Sequence, residues 1–87
     1  LKLLIINLES SQASDIRVQN LLRDCLIKFK PDKGKCGIKI PVIAAVKYKD
    51  NITYVKFGDQ FCIGDINGAC KLLESKSFKV NLKSLVS

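Results

Sequence analysis

Lys2-Leu-Leu-Ile-Ile-Asn-Leu8 opens the chain with aliphatic side chains at odd and even positions alike. A strand apolar on both faces belongs inside a sheet that is covered on one side at least. Glu9 to Ser14 is polar and serine-rich, which predicts a loop. Ser14 or Asp15 then stands where a side chain can cap a helix by accepting from its unpaired N–H groups. The helix itself is the most regular feature of the chain. Val18, Leu21, Leu22, Cys25, Leu26 and Phe29 recur at three- and four-residue spacing and so form one apolar stripe, with Arg17, Asn20, Arg23, Asp24 and Lys28 on the other side. Pro31 stops it, because proline lacks an N–H and disfavours helical backbone in the residue before it.

Turn residues mark Pro31 to Gly37 as a loop. Pro41 to Lys49 reads as a strand with Val42, Ala44, Val46 and Tyr48 on one face and Lys47 and Lys49 on the other. Asp50-Asn51 is a two-residue hairpin signal. Ile52 to Phe57 returns, alternating Thr53, Val55 and Phe57 with Tyr54 and Lys56. After Gly58, Phe61 and Ile63, Asp65 is placed to cap a second helix whose face is Ile66, Ala69, Cys70 and Leu73. Gly68 weakens that helix by up to about 1 kcal/mol against alanine. Phe78, Val80 and Leu82 finally alternate with Lys79, Asn81 and Lys83, a strand with one wet face.

The order is β-α-β-β-α-β, one α+β domain over residues 1–87. Two helices with apolar stripes need a sheet to cover, and the connection lengths let both lie on one face. The economical arrangement is a ferredoxin-like split βαβ fold with a four-stranded antiparallel sheet. It places the first and third strands centrally and the lysine-bearing second and fourth strands at the edges, where charge discourages unwanted pairing. At 47% apolar residues the chain can fill an ordinary core. No apolar run reaches the ~18–20 residues of a membrane span, so no membrane partner is expected. The chain starts inside an apolar run and has no Met, as expected of a domain excised from a longer protein.

Candidate chemistry is sparse. The chain has no histidine, so the usual proton shuttle near neutral pH is missing. Its acids are scattered over caps, turns and a polar helix face, with no spacing that pairs two of them. Lys33-Gly34-Lys35 lacks the glycine pattern and following helix of a phosphate loop. Cys25, Cys36, Cys62 and Cys70 could form a disulfide or a four-thiolate metal site, but no C-x-x-C knuckle is present, and reduced thiols in a cytoplasmic protein are the simpler reading. No catalytic residue, metal or cofactor is expected.

Binding is the alternative. Fifteen Lys and Arg against eight Asp and Glu give a net charge of +7, which favours an acidic partner or nucleic acid. An RNA-recognition motif shares this element order and stacks bases on aromatic rings of its central strands. Leu3 to Leu8 and Tyr54-Val-Lys-Phe57 echo its two motifs, yet Leu4 and Ile52 stand where rings belong and only Tyr54 is aromatic. A single-stranded nucleic-acid-binding domain is therefore the second reading. The first is a cationic sheet face, carrying Lys47, Lys49, Tyr54, Lys56, Lys79 and Lys83, that docks an acidic or amphipathic partner.

From Val18 to Leu82 the chain resembles the extreme C-terminal domain of the bacterial DNA polymerase III alpha subunit. The resemblance is carried by Leu22-Arg23-Asp24-Cys25-Leu26 in the first helix and the basic loop Lys33-Gly34-Lys35-Cys36-Gly37 ahead of Pro41-Val42. Phe57-Gly58-Asp59-Gln60-Phe61-Cys62-Ile63, Leu72-Leu73 and Val80-Asn81-Leu82 complete it. Each motif is mainly structural, and the order and spacing carry the likeness. Ser75-Lys76 departs from the glycine usual after the second helix, and the Gly37-to-Pro41 spacing is longer than usual. The resemblance implies a non-catalytic docking domain of a cytoplasmic DNA-directed DNA polymerase chain. Its partner would be the tau subunit of the clamp loader, with other replisome subunits met through the parent chain and at most weak nucleic-acid contact. Lys47, Lys49, Tyr54, Lys56, Lys79, Asn81, Lys83 and Leu85 are the candidate contact residues.

Overall fold

A computed structural model describes residues 2–31, 39–58 and 61–84. The run of aliphatics at the start forms strand β1 (Lys2–Glu9), and its Leu4 and Ile6 are wholly buried. The polar stretch after it is a single helical turn, α1 (Ser10–Ala13), where a loop is expected. A local exchange explains the turn: the Glu9 N–H donates to Gln12 Oε1 at 2.9 Å, and Ser14 Oγ donates to the Ser10 carbonyl at 3.1 Å. Helix α2 (Ile16–Ile27) follows, capped by Asp15, whose carboxylate accepts from the Arg17 N–H at 2.9 Å.

Strand β2 (Val42–Tyr48) lies parallel to β1, pairing Leu4 with Val42 and Leu8 with Val46. Strand β3 (Asn51–Lys56) turns back antiparallel to β2. Helix α3 (Ile66–Ser75) crosses over, and β4 (Lys79–Ser84) runs antiparallel to β1. The sheet order is β3-β2-β1-β4. The expected α+β class and four strands are present. The expected all-antiparallel sheet, with the first and third strands central, is not: the sheet is mixed and its centre is β1 and β2. The cause lies in β2. Val42-Ile43-Ala44-Ala45-Val46 is apolar on both faces, and only an interior position hides both. Every residue of β3 is exposed, which an edge tolerates.

The hairpin turn also sits one residue earlier than its sequence suggests. Tyr48 pairs with Asn51, so Lys49 and Asp50 are the loop, and Lys49 takes φ 55°. Register across the sheet outranks the turn preference of Asp50-Asn51.

Both longer helices pack on one face of the sheet. Leu22, Cys25 and Leu26 of α2 and Ala69 and Leu73 of α3 close over Leu4, Ile6, Leu8, Val42 and Ala44. Each such aliphatic side chain, fully hidden, stabilises the fold by roughly 1.5–3 kcal/mol. Leu21, expected in the stripe, stands at its exposed margin. Ile40 and Ile63 exchange backbone hydrogen bonds of 2.9 and 3.0 Å, joining the approach to β2 to the approach to α3. The Gly64 N–H donates to the Phe29 carbonyl at 2.7 Å and ties this bridge to the end of α2.

Asp65 caps α3 as expected, accepting from the Gly68 N–H at 3.1 Å. Gly68 has a packing reason to lack a side chain. A Cβ there would lie 2.6 Å from Phe29 Cε1 and 2.6 Å from Asp65 Oδ2. At the other end Ser77 takes φ 69°, its N–H donating to the Glu74 carbonyl while that of Phe78 reaches back to Leu73. This is a Schellman stop with serine in the position glycine usually holds, and it turns Phe78 into the core. Among the described residues, no helix is long and apolar enough to cross a membrane.

Candidate functional site

Side chains alternate across a strand, so the face of the sheet opposite the helices can be read from the registers. One row runs Lys56–Ile43–Ile5–Asn81, the next Tyr54–Ala45–Asn7–Lys79. Ile52–Lys47–Glu9 lies beyond one side and Leu3–Lys83 beyond the other. Among the described residues no helix covers these rows. Their centre is nonetheless apolar and partly hidden: Leu3 and Ala45 are buried, Ile5 and Ile43 half-buried. Around it stand Lys47, Lys56, Lys79, Lys83, Asn81 and Tyr54, all exposed, the tyrosine at 65%. Glu9 is the one carboxylate at these strand positions, against four lysines.

The fold thus brings together six of the predicted contact residues: Lys47, Tyr54, Lys56, Lys79, Asn81 and Lys83. Lys49 stands apart. It occupies the hairpin turn, with its Nζ 5.4 Å from the centre of the Tyr48 ring. Leu85 lies outside the described residues. Sequence reasoning missed Ile5, Asn7, Ile43 and Ala45, the middle of the face. The signal was available in the doubly apolar runs of β1 and β2, which place hydrophobic groups on the uncovered side as well.

Two depressions adjoin this sheet. A shallow one of ≈ 360 Å³ includes Asn7, Ala45, Lys47, Ile52 and Lys79 on the open face. A larger one of ≈ 410 Å³ lies on the helix side between α2 and β3, among Leu22, Val46, Val55, Phe57 and Phe61. Phe57 and Phe61 meet edge to face there, with centroids 6.1 Å apart. β3 forms the outer wall, and Val55 keeps 48% exposure because neither α2 nor α3 reaches over it.

The chemistry available on the open face is charge, amide hydrogen bonding and apolar contact. Among the described residues the titratable groups shifted from their ordinary values, Asp15 and Cys70, lie elsewhere. Hydrogen bonds from the Arg17 backbone and side chain hold the Asp15 carboxyl low. Burial pushes the Cys70 thiol up, and Glu74 adds to the effect. Cys25, Cys62 and Cys70 are free thiols, and Cys36 lies outside the described residues. Among the described residues no three Cys, Asp or Glu side chains gather at one point. The base-stacking geometry of an RNA-recognition motif is also not formed at Tyr54. β2 stands between β1 and β3, and the cross-strand neighbour of Tyr54 is Ala45. No family model matches this chain, and no curated protein or solved structure does.

Proposed function

We propose that this domain is a non-catalytic docking module whose open sheet face receives an acidic protein surface. The observation that carries the reading is the arrangement of the face: a partly buried apolar centre of Ile5, Ile43 and Ala45 inside a rim of Lys47, Lys56, Lys79 and Lys83. A docked partner would bury the centre for affinity and meet the rim with carboxylates for orientation and speed. The resemblance to the C-terminal domain of the DNA polymerase III alpha subunit makes the tau subunit of the clamp loader the first partner to test, within a cytoplasmic replication complex.

Titration of the chain with the purified C-terminal domain of tau, followed calorimetrically, tests the reading. Binding is expected, and Lys47→Glu, Lys56→Glu and Lys79→Glu combined should weaken it by at least about a hundredfold, since each reversal sets like charge against like. No heat at micromolar protein, or a triple variant that binds unchanged, would sink it. An oligonucleotide titration separates the nucleic-acid reading, which predicts binding that falls steeply with salt and with Tyr54→Ala.

A further inference from the structure

Beyond the open face, the sheet leaves one edge without the protection that edges usually carry. β3 is six residues long, contains no proline and no bulge, and exposes every residue. The other edge, β4, alternates Lys79 and Lys83 with Asn81, the kind of charged margin that discourages pairing. On β3 only Lys56 is charged, beside Ile52, Thr53, Tyr54 and Val55, residues that favour strands.

The hydrogen-bond phase shows which groups of β3 are offered. The Phe57 N–H donates to the Val42 carbonyl at 3.0 Å. Bonded pairs alternate along an antiparallel ladder, so Val55, Thr53 and Asn51 turn their N–H and C=O toward β2. Ile52, Tyr54 and Lys56 turn theirs outward. A strand laid along this edge would place alternate side chains on the two sides of the sheet. On one side they would meet Val55 and the apolar depression walled by Val46, Phe57 and Phe61. On the other they would stand beside Tyr54, Lys56 and Lys47.

From this we infer that β3 receives an extended partner segment as a fifth strand, and that the segment alternates apolar with acidic residues. Charge decides between this occupant and a second copy of the chain: at +7, two copies repel, whereas a segment bearing carboxylates is drawn to the lysines. The inference rests on the docking reading above and extends the contact from the face to its β3 edge: backbone hydrogen bonds there add affinity, and alternate side-chain contacts supply selectivity.

The experiment uses the 87-residue chain and a blocked peptide of about six alternating Glu and Val residues, matched to the length of β3. Calorimetric titration should show binding. A Lys–Val peptide of the same length, and the Glu–Val peptide N-methylated on alternate amides, should bind at least about tenfold more weakly, having lost charge attraction or ladder bonds. Tyr54→Pro removes an outward N–H while leaving the β2 ladder whole, and it should cost a similar factor with an unchanged circular dichroism spectrum. Lys47→Glu with Lys56→Glu, beside the edge, should weaken binding by at least about tenfold and by more than Lys79→Glu with Lys83→Glu, on the far edge.

Failure to bind the peptide, or binding indifferent to N-methylation, overturns the inference whether or not Tyr54→Pro folds. A loss confined to the Lys79 and Lys83 variants would overturn edge pairing and leave docking on the flat face standing. Sedimentation of the free chain as a dimer that Tyr54→Pro dissociates would assign the edge to a second copy and overturn it too.

Discussion

Ile6 and Ile52 are the same residue on two strands of one sheet, yet Ile6 is fully buried and Ile52 keeps 54% of its surface exposed. Their strands, β1 and β3, are both rich in strand-forming residues, but β1 is apolar on both faces whereas β3 mixes apolar and polar positions. β1 has neighbours on both sides and helices above it. β3 has one neighbour and none of the helical cover. Burial of a given side chain in this domain therefore follows its strand's position in the sheet, and the strands apolar on both faces hold the interior positions. Folding stability concentrates at β1 and β2, while β3, at an edge, turns the backbone groups of Ile52, Tyr54 and Lys56 away from its one neighbour.

The sharpest way to break this contrast is to truncate one residue from each region. Ile6→Ala should lose about 2–5 kcal/mol in urea denaturation, through lost transfer energy and the cavity left behind. A loss below about 1 kcal/mol would mean that the centre of the sheet is not the stabilising core.

Gly68→Ala comes next. Helix propensity alone predicts a gain, but the 2.6 Å approach to Phe29 and to the Asp65 cap predicts a loss of about 1–3 kcal/mol. Thermal unfolding distinguishes the signs, and a stabilised variant would show that the Phe29 ring moves aside freely.

Ser77→Gly and Lys49→Gly test exposed backbone, with only the contact of Lys49 to the Tyr48 ring at stake. Both residues hold a left-handed conformation that costs a residue with a Cβ about 1 kcal/mol. Each substitution should raise the melting temperature by a few degrees, roughly what 1 kcal/mol gives a domain of this size.

A smaller effect is expected at Asp15. Its carboxyl is held below the ordinary value of 3.8 by the Arg17 N–H and side chain, so its ionised form stabilises the fold above that pH. The contribution is lost as the pH falls through the lower folded value. The gap in urea midpoint between the native chain and Asp15→Asn should shrink from pH 7 to pH 3, and a constant gap would show that the carboxylate's charge adds nothing to the cap.

Ile52→Ala closes the series. It should cost within about 0.5 kcal/mol, the usual range for an exposed substitution. A loss approaching that of Ile6 would show β3 to be covered in the free chain.

The local elements were legible because their signals are local. The stripe from Val18 to Phe29, a first cap at Ser14 or Asp15 (the structure uses Asp15), the Asp65 cap and the alternation of the last strand each follow from spacing within a dozen residues. The one-turn α1 was missed because it buries no apolar side chain and depends on one exchange between Glu9 and Gln12. The candidate face was legible in half. Its lysines and Tyr54 announce a wet surface by alternation, whereas Ile5, Ile43 and Ala45 look like ordinary core until the sheet shows that no helix covers that side.

Spacing and residue type within each segment were enough to set which stretches become helix or strand and which of their faces avoid water. Strand neighbours were not set that way, because backbone pairing joins segments distant in the chain and every strand offers the same donors and acceptors. Only the packed molecule, by hiding the doubly apolar β2 beside β1, made the sheet mixed, pushed β3 to the rim and gathered six scattered polar residues onto one surface.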